Sequence, residues 1–473
     1  MLFNSFEFVF LFLPILLAVI YVLRSYSIRL AHGAMIFASL YFYALLDGHH
    51  LAVLIFSATA NYTLGEILVR RIRLERPTLG FLFWGTGFNL ALLGGYKYLA
   101  LIAQIFGMDF PAVAAPLGIS FFTFHQLSYL VDIHRRIIVP TGIRDYLLFV
   151  TFFPHLISGP IIRYGWFAPQ LPAPKRPVAY EAGIFFFSAG LFKKTVLADR
   201  LAPVADRIFS TADHSLAFWE AWKGVLAYTW QIYFDFSGYA DMAIGLGLLL
   251  GIALPVNFDA PYRAVSITDF WRRWHITLSR FLRDYLYIPL GGSRHGRGRQ
   301  VFALLVTMTL AGLWHGAALT FVVWGALHGI FLSIAHVWRT TVGRCFALPR
   351  LVSILLTFIL VAALWVLFRA ESFEGAMAHY RAMTTFEAKV LLPTHWHELI
   401  LDPVWKEWLW IMAGALVVFV LSPTSRYAGY DHDSFRQTLQ MTYWHAGASG
   451  ILLWMSLKAM SIEPSRSFVY FVF

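Results

Sequence analysis

The sequence predicts an all-α protein that crosses a membrane many times. Three observations carry this. Hydrophobic residues make up 59% of the 473 residues and charged residues only 13%, about half the roughly 25% of a soluble domain. Mean hydropathy is +0.64. The apolar residues lie in long continuous runs. A bilayer core offers no partner to backbone N–H or C=O groups, so each run must satisfy its own backbone as helix. Alternating segments of about ten residues, the mark of a membrane barrel, are not seen.

The runs fall at about 6–23, 31–46, 51–69, 80–105, 116–133, 147–160, 181–198, 222–254, 301–338, 351–368, 409–421 and 439–460. About eleven true spans are expected among them. No Lys or Arg precedes Arg24, so the first run lacks the basic start of a cleavable signal peptide and reads as a retained helix. Phe153-Pro-His-Leu-Ile-Ser-Gly-Pro160 carries two prolines and a glycine, which predicts a re-entrant or broken segment.

Basic loops set the orientation. Arg24 and Arg29, then Arg70, Arg71, Arg73 and Arg76, then His134, Arg135, Arg136 and Arg144 share one parity. The positive-inside rule makes them cytoplasmic and the N-terminus periplasmic. Counting on, Arg339, Arg344 and Arg350 are cytoplasmic, while 370–408 and the C-terminus lie outside. Segment 370–408 mixes Glu371, Glu374, Glu398 and Asp402 with Arg381 and Lys389, as a partner-docking surface would. A single membrane domain over 1–473 is expected, with a core at 1–375 and C-terminal helices at 376–473.

The net charge of +11 sits in short loops between runs. Topology explains it, so no nucleic-acid partner is expected. One cysteine, Cys345, excludes an internal disulfide and a Cys-based metal cluster, and no metal site is predicted.

Polar groups inside apolar runs mark candidate sites. On the helix expected at 222–250, Gln231, Asp235, Gly238 and Asp241 span about 120° of one face. The two carboxylates should point into the protein, as a hydrogen-bond network or a binding group. Segment 263–299 holds eight Arg against Asp269 and Asp284, a net charge of +6. Ser266-Ile-Thr-Asp269 resembles a capping box and predicts a helix start. On one continuous helix from there, Trp271, Trp274, Leu278, Leu282 and Tyr285 form an apolar stripe, with Arg272, His275, Ser279 and Arg283 on the neighbouring face. This predicts a helix lying at the cytoplasmic interface, as a lipid anchor or a dock for an anionic thioester donor. Arg299 to Arg339 then reads as a hairpin from the cytoplasm, with Trp314-His315-Gly316 deep in the bilayer. Gly312 and Gly316 flank His315, so that backbone can approach it closely and leave room for a ligand.

Trp271-Arg-Arg-Trp-His-Ile-Thr-Leu-Ser279, Gly312-Leu-Trp-His-Gly316 and Trp324-Gly-Ala-Leu-His-Gly329 resemble the membrane-bound O-acyltransferase (MBOAT) family, in its bacterial branch of alginate O-acetyltransferases. Pro116-Leu-Gly-Ile-Ser-Phe-Phe-Thr-Phe124, Phe152-Phe-Pro-His-Leu-Ile-Ser-Gly-Pro160, Gly190-Leu-Phe-Lys-Lys194, Gln231-Ile-Tyr-Phe-Asp-Phe-Ser-Gly-Tyr239 and Trp365-Val-Leu-Phe-Arg-Ala370 extend the resemblance over about 1–375. It implies a ring of helices around a thinned centre, where a cytoplasmic funnel meets an extracytoplasmic one. It implies that His315 is catalytic and His275 a second functional histidine. The function expected is an inner-membrane O-acetyltransferase. Acetyl-CoA or an acyl carrier is the donor, no cofactor stays bound, and periplasmic acetyltransferase proteins that modify an alginate- or cellulose-like polysaccharide are the partners. Arg272, Arg283, Trp314, Asp235, Asp241 and His328 are candidates for substrate binding. The alternatives are a transporter subunit without acyl chemistry, which the lack of an inverted repeat and of a nucleotide-binding loop disfavours, and a lipid-acylating enzyme of the same fold.

Overall fold

The computed structural model describes residues 1–99, 102–103, 106–108, 114–172, 179–210, 216–341, 348–386, 403–430, 442–463 and 466–471. Among these there is no β-strand. Helices of seven residues or more are α1 (Leu13–Tyr26), α2 (Ile28–Asp47), α3 (Leu51–Arg73), α4 (Leu79–Lys97), α5 (Ile119–His134), α6 (Ile143–Thr151), α7 (Tyr180–Phe192), α8 (Asp199–Ser210) and α9 (Phe218–Leu249). The second half holds α10 (Ile267–Arg273), α11 (Ile276–Leu282), α12 (Gly296–His315), α13 (Leu319–Thr340), α14 (Arg350–Arg369), α15 (Phe373–Thr384), α16 (Pro403–Val420) and α17 (Tyr443–Ile462).

The protein is an all-α, multi-pass membrane protein. Among the described residues, four helical stretches are long and apolar enough to cross a bilayer: Phe8–Tyr26, Ile28–Arg73, Leu319–Thr340 and Arg350–Arg369. Length and apolarity alone therefore do not return the expected eleven spans. Interruption is one reason. The run at 147–160 is broken as expected: α6 stops at Thr151 and a single turn, Phe153–Leu156, follows with Pro154 in its first turn.

The central post is α9, whose 32 residues span about 48 Å at 1.5 Å per residue. It is buried nearly end to end, and α7, α8, α14, α15 and α16 pack around it. The N-terminal half has its own aromatic core, which includes Phe8, Phe42, Phe149 and Phe153. A second core gathers around α9 with Trp230, Tyr262, Trp274 and Trp365. A third, smaller cluster of Phe121, Phe124, Leu278, Phe281 and Trp314 bridges α5, α11 and α12.

The hairpin of α12 and α13 is closed by small residues. A Cβ on Gly312 would strike Phe321 O, and one on Gly325 would strike Met308 O. Those two glycines lie opposite each other, with the Cβ of either meeting the other's backbone at 3.0 Å. A Cβ on Gly316 would run into the Phe321 ring. The space expected for a ligand beside Gly312 and Gly316 is therefore filled by the hairpin itself. Missing side chains let the two helices close against each other.

In the segment expected to dock a partner, α15 buries Ala376, His379, Ala382 and Met383 against α9 and α14. Glu371, Glu374 and Arg381 remain exposed. Lys389, Glu398 and Asp402 lie outside the described residues, as do Arg344 and Cys345.

Candidate active site

Two short helices and the hairpin tip build the site. Ser266 caps α10 as expected, its Oγ accepting from Asp269 N–H at 3.1 Å. The helix does not continue to Tyr285. It stops at Arg273, Trp274 is extended, and His275 takes a left-handed backbone, φ 43° and ψ 54°. Side chains other than glycine rarely adopt that region, at a cost on the order of 1–3 kcal/mol. The single interfacial stripe predicted from 266 to 285 is therefore corrected. Trp271 and Trp274 are buried in the protein at 8% and 1% exposure, and His275 leaves the face of Arg272 to point inward.

Asn257 holds this break. Its backbone carbonyl accepts from Ile276 N–H at 3.0 Å. Its Oδ1 accepts from Thr277 N–H at 3.2 Å and Thr277 Oγ1 at 2.9 Å. A backbone N–H can only donate, so that atom is an oxygen. His275 Nδ1 lies 3.2 Å from the same oxygen and must donate to it. Neutral His275 thus carries its lone pair on Nε2.

His315 ends α12 and is 4% exposed. Its ring packs on Trp314 at 4.7 Å, Phe368 at 4.9 Å and Trp324 at 5.4 Å between centroids. Trp314 in turn stacks on Phe124 at 5.1 Å and lies 6.4 Å from the His275 ring. His328 on α13 packs on Trp324 at 4.6 Å, and its Nδ1 accepts from Trp271 Nε1–H at 3.1 Å. Residues forty and thirteen positions from His315 in the chain are so gathered around one set of indole rings. The sequence did not reveal what fixes the hairpin tip. Lys97 Nζ donates to Trp314 O, and Tyr98 OH donates to Leu313 O at 2.7 Å. They satisfy carbonyls that a helix end leaves open. The signal was a lysine inside the apolar run at 80–105.

Two cavities approach this centre. One, of about 1000 Å³, is lined by Arg263, Arg272, Arg273, Arg283, Arg339 and Arg350, with Asp269 as its acid, and reaches inward to Trp271, Thr307, Met308 and Leu332. Arg272 and Arg283 stand at its wall as the sequence suggested. Arg283 pairs with Asp284 at 2.7 Å, and Arg163 reaches the same carboxylate at 2.5 Å. Burial pushes the Asp284 carboxyl up, but these hydrogen bonds outweigh it and hold it below its usual range. The other cavity, of about 670 Å³, is lined by Ala318, Thr320 and Phe321 at the hairpin tip, by Phe368 and Arg369 of α14, and by Lys194, Asp199, Gln231, Asp235 and Arg466.

The two carboxylates of α9 part company. Asp235 lines the second cavity but is bound to Lys194 Nζ at 2.6 Å and to Val469 N–H at 2.8 Å. Asp241 is bound to Lys193 Nζ and Thr424 Oγ1, each at 2.6 Å, and lines neither of these cavities. Among the described residues no group of His, Cys, Asp and Glu has a metal-binding arrangement.

Known proteins resemble this chain over most of its length. The sequence model of the membrane-bound O-acyltransferase family matches residues 109–373. A peptidoglycan O-acetyltransferase of Helicobacter pylori is 38% identical over 81% of this chain and 80% of its own. A probable alginate O-acetylase AlgI of Pseudomonas putida is 41% identical over 82% and 81%. A teichoic acid D-alanyltransferase of Streptococcus thermophilus is 29% identical over 47% and 57%. The chain therefore belongs to the membrane-bound O-acyltransferase family, close to its alginate O-acetylases, and is an O-acyltransferase.

Proposed function

We propose that this protein is an inner-membrane O-acetyltransferase. It takes acetyl from a cytoplasmic thioester and passes it to an acceptor on the other face, for modification of an exported polysaccharide. The observation that carries this is the place of His315. Its ring packs on Phe368, which lines the second cavity, and on Trp324, which packs in turn on Trp271 of the basic cavity. The basic cavity suits acetyl-CoA, whose phosphates would meet Arg272 and Arg283 through charge-assisted hydrogen bonds. The positive-inside rule puts those arginines in the cytoplasm and the N-terminus in the periplasm.

In the mechanism we favour, an acceptor hydroxyl enters from the second cavity and His315 takes its proton as general base. The hydroxyl oxygen attacks the thioester carbonyl. His275, with its Nε2 lone pair set by Asn257, orients the hydroxyl or the imidazole of His315. Periplasmic acetyltransferase proteins would receive or use the acetyl group. Relatives named for peptidoglycan, alginate and teichoic acid support a polymer as the final acceptor.

Replacing His315 by alanine should lower acetylation by about 10²–10⁴-fold, the range of a lost general base, while the protein stays inserted. The acetyl content of purified exopolysaccharide, with normal protein levels in membranes, checks this. Wild-type acetyl content with His315→Ala would end the assignment.

A further inference from the structure

The rings around His315 carry N–H groups that bond to nothing among the described residues. Trp314 Nε1, Trp324 Nε1 and His328 Nε2 are buried and without a hydrogen-bond partner among the described residues. The three rings form a connected cluster. Trp314 and Trp324 lie 4.7 and 5.4 Å from the His315 ring, and His328 lies 4.6 Å from Trp324.

One bond fixes the state of His328. Trp271 Nε1–H donates to His328 Nδ1, and an indole nitrogen can do nothing else. Nδ1 therefore holds a lone pair, and the ring's proton sits on Nε2. His328 is a hydrogen-bond donor towards its surroundings, the opposite tautomer to His275. A buried N–H left unpaired loses its bond to water and gains nothing in return. Three in one cluster, all donors, call for an acceptor that arrives from outside. Trp271 also lines the inner end of the basic cavity, so the bond that sets the His328 tautomer stands where that cavity ends.

We propose that Trp324 Nε1–H and His328 Nε2–H stabilise the oxyanion of acyl transfer, with Trp314 at its edge. The inference rests on the reading of His315 as the base beside the reacting carbonyl. The acceptor oxygen bonds to the thioester carbon as its proton moves to His315. The π pair of the C=O bond moves onto oxygen, which becomes negative and meets the two N–H groups. That pair then reforms C=O, the C–S bond breaks, and the leaving thiolate takes the proton from His315. An ester and a thiol result. Donors fixed in a dry site act on the charge as it develops, without reorganisation.

Full-length protein purified in detergent is assayed for release of CoA thiol from acetyl-CoA, with thermal melting followed in parallel. Trp324→Phe keeps an aromatic ring and deletes the N–H. It should lower kcat by about 10²-fold with an unchanged KM, as for loss of one oxyanion donor. His328→Leu should do the same. His328→Gln, which offers an oxygen to Trp271 and an N–H to the carbonyl, should keep activity to within about tenfold. Wild-type kcat in both Trp324→Phe and His328→Leu overturns the proposal. So does a loss in His328→Gln as deep as in His328→Leu, with matching loss of melting temperature, because that is the signature of packing. His315→Ala is run alongside. If it is inactive while Trp324→Phe and His328→Leu are both fully active, the oxyanion site alone falls. If His315→Ala is fully active, the base assignment falls and takes this proposal with it.

Discussion

Two of the polar regions buried in this protein are built on opposite rules. Around Lys193 and Lys194, each ion has its counter-ion. Lys194 contacts Asp235 at 2.6 Å and Asp199 at 2.9 Å, and Lys193 contacts Asp241 at 2.6 Å. Around His315, beside the Lys97 and Tyr98 that hold the hairpin tip, the ring nitrogens Trp314 Nε1, Trp324 Nε1 and His328 Nε2 have no hydrogen-bond partner among the described residues. Burying an ion costs several kcal/mol unless another ion and further hydrogen bonds compensate it. Burying an N–H costs less, and an incoming substrate can supply the bond. The first region ties α7, α8 and α9 together. The second keeps its bonding capacity for something else.

Breaking the ion cluster should therefore damage the fold before the chemistry. Lys194→Met leaves Asp235 and Asp199 without their cation and should destabilise the protein by about 3–5 kcal/mol. A thermal melt of the detergent-solubilised protein would read this. Changing Lys194, Asp199 and Asp235 together to Met, Leu and Leu should recover much of that loss, since no charge is then left unpaired. A single variant that melts normally but has lost activity would erase the contrast and move Lys194 into the reaction.

The hairpin offers a finer test, because its tip belongs to the histidine region and its crossing does not. Gly325→Ala places a Cβ against Met308 O and the backbone of Gly312, so α12 and α13 must part. Overpacking of this kind costs about 1–3 kcal/mol. His315 and His328 stand on the two separated helices, so kcat should fall along with stability. Intact activity in a variant with a lowered melting temperature would show that the tip, held by Lys97 and Tyr98, keeps its geometry without the crossing.

Much of this was legible in the sequence, and the reasons differ by residue. The apolar runs placed the helices because a membrane helix is written in consecutive residues. The motif around Gly312 to Gly316 placed His315 at the end of its helix for the same reason. The break at His275 was not legible. Trp271, Trp274, Leu278 and Leu282 keep a helical period straight through it, and the oxygen that holds the kink belongs to Asn257, eighteen residues upstream. The inward-facing network of Asp235 and Asp241 was expected as one alternative, but its partners were hidden. Their partners lie on the turn between α7 and α8, and the register of one helix on another is set by packing, here by Gly190 against Gly238. Gly312 was readable as a place of close approach, but whether a ligand or another backbone approaches depends on the partner helix.

The smallest expected effect concerns the mouth of the basic cavity, where charge is exposed and the fold has little at stake. Arg272 has no ion-pair partner among the described residues and is exposed, and the Arg283 side chain is 59% exposed even while it pairs with Asp284. Exposed pairs contribute about 0–1 kcal/mol, so Arg272→Glu with Arg283→Glu should melt close to wild type. It lowers the net charge of 263–299 from +6 to +2. If acetyl-CoA enters here, its KM should rise by about tenfold at low salt, from the loss of one or two charge-assisted contacts, with kcat little changed. The difference should shrink as salt rises, because charges are screened beyond about 10 Å at 0.1 M. Asp284 adds a check on sign. Its carboxyl is held below the usual range, so what it contributes is present above that range and lost only as pH falls through the lowered value. The KM difference should thus be constant between about pH 6 and 8. An unchanged KM at low salt would leave these arginines as markers of topology, and the entry route for the thioester would have to be sought elsewhere on the molecule.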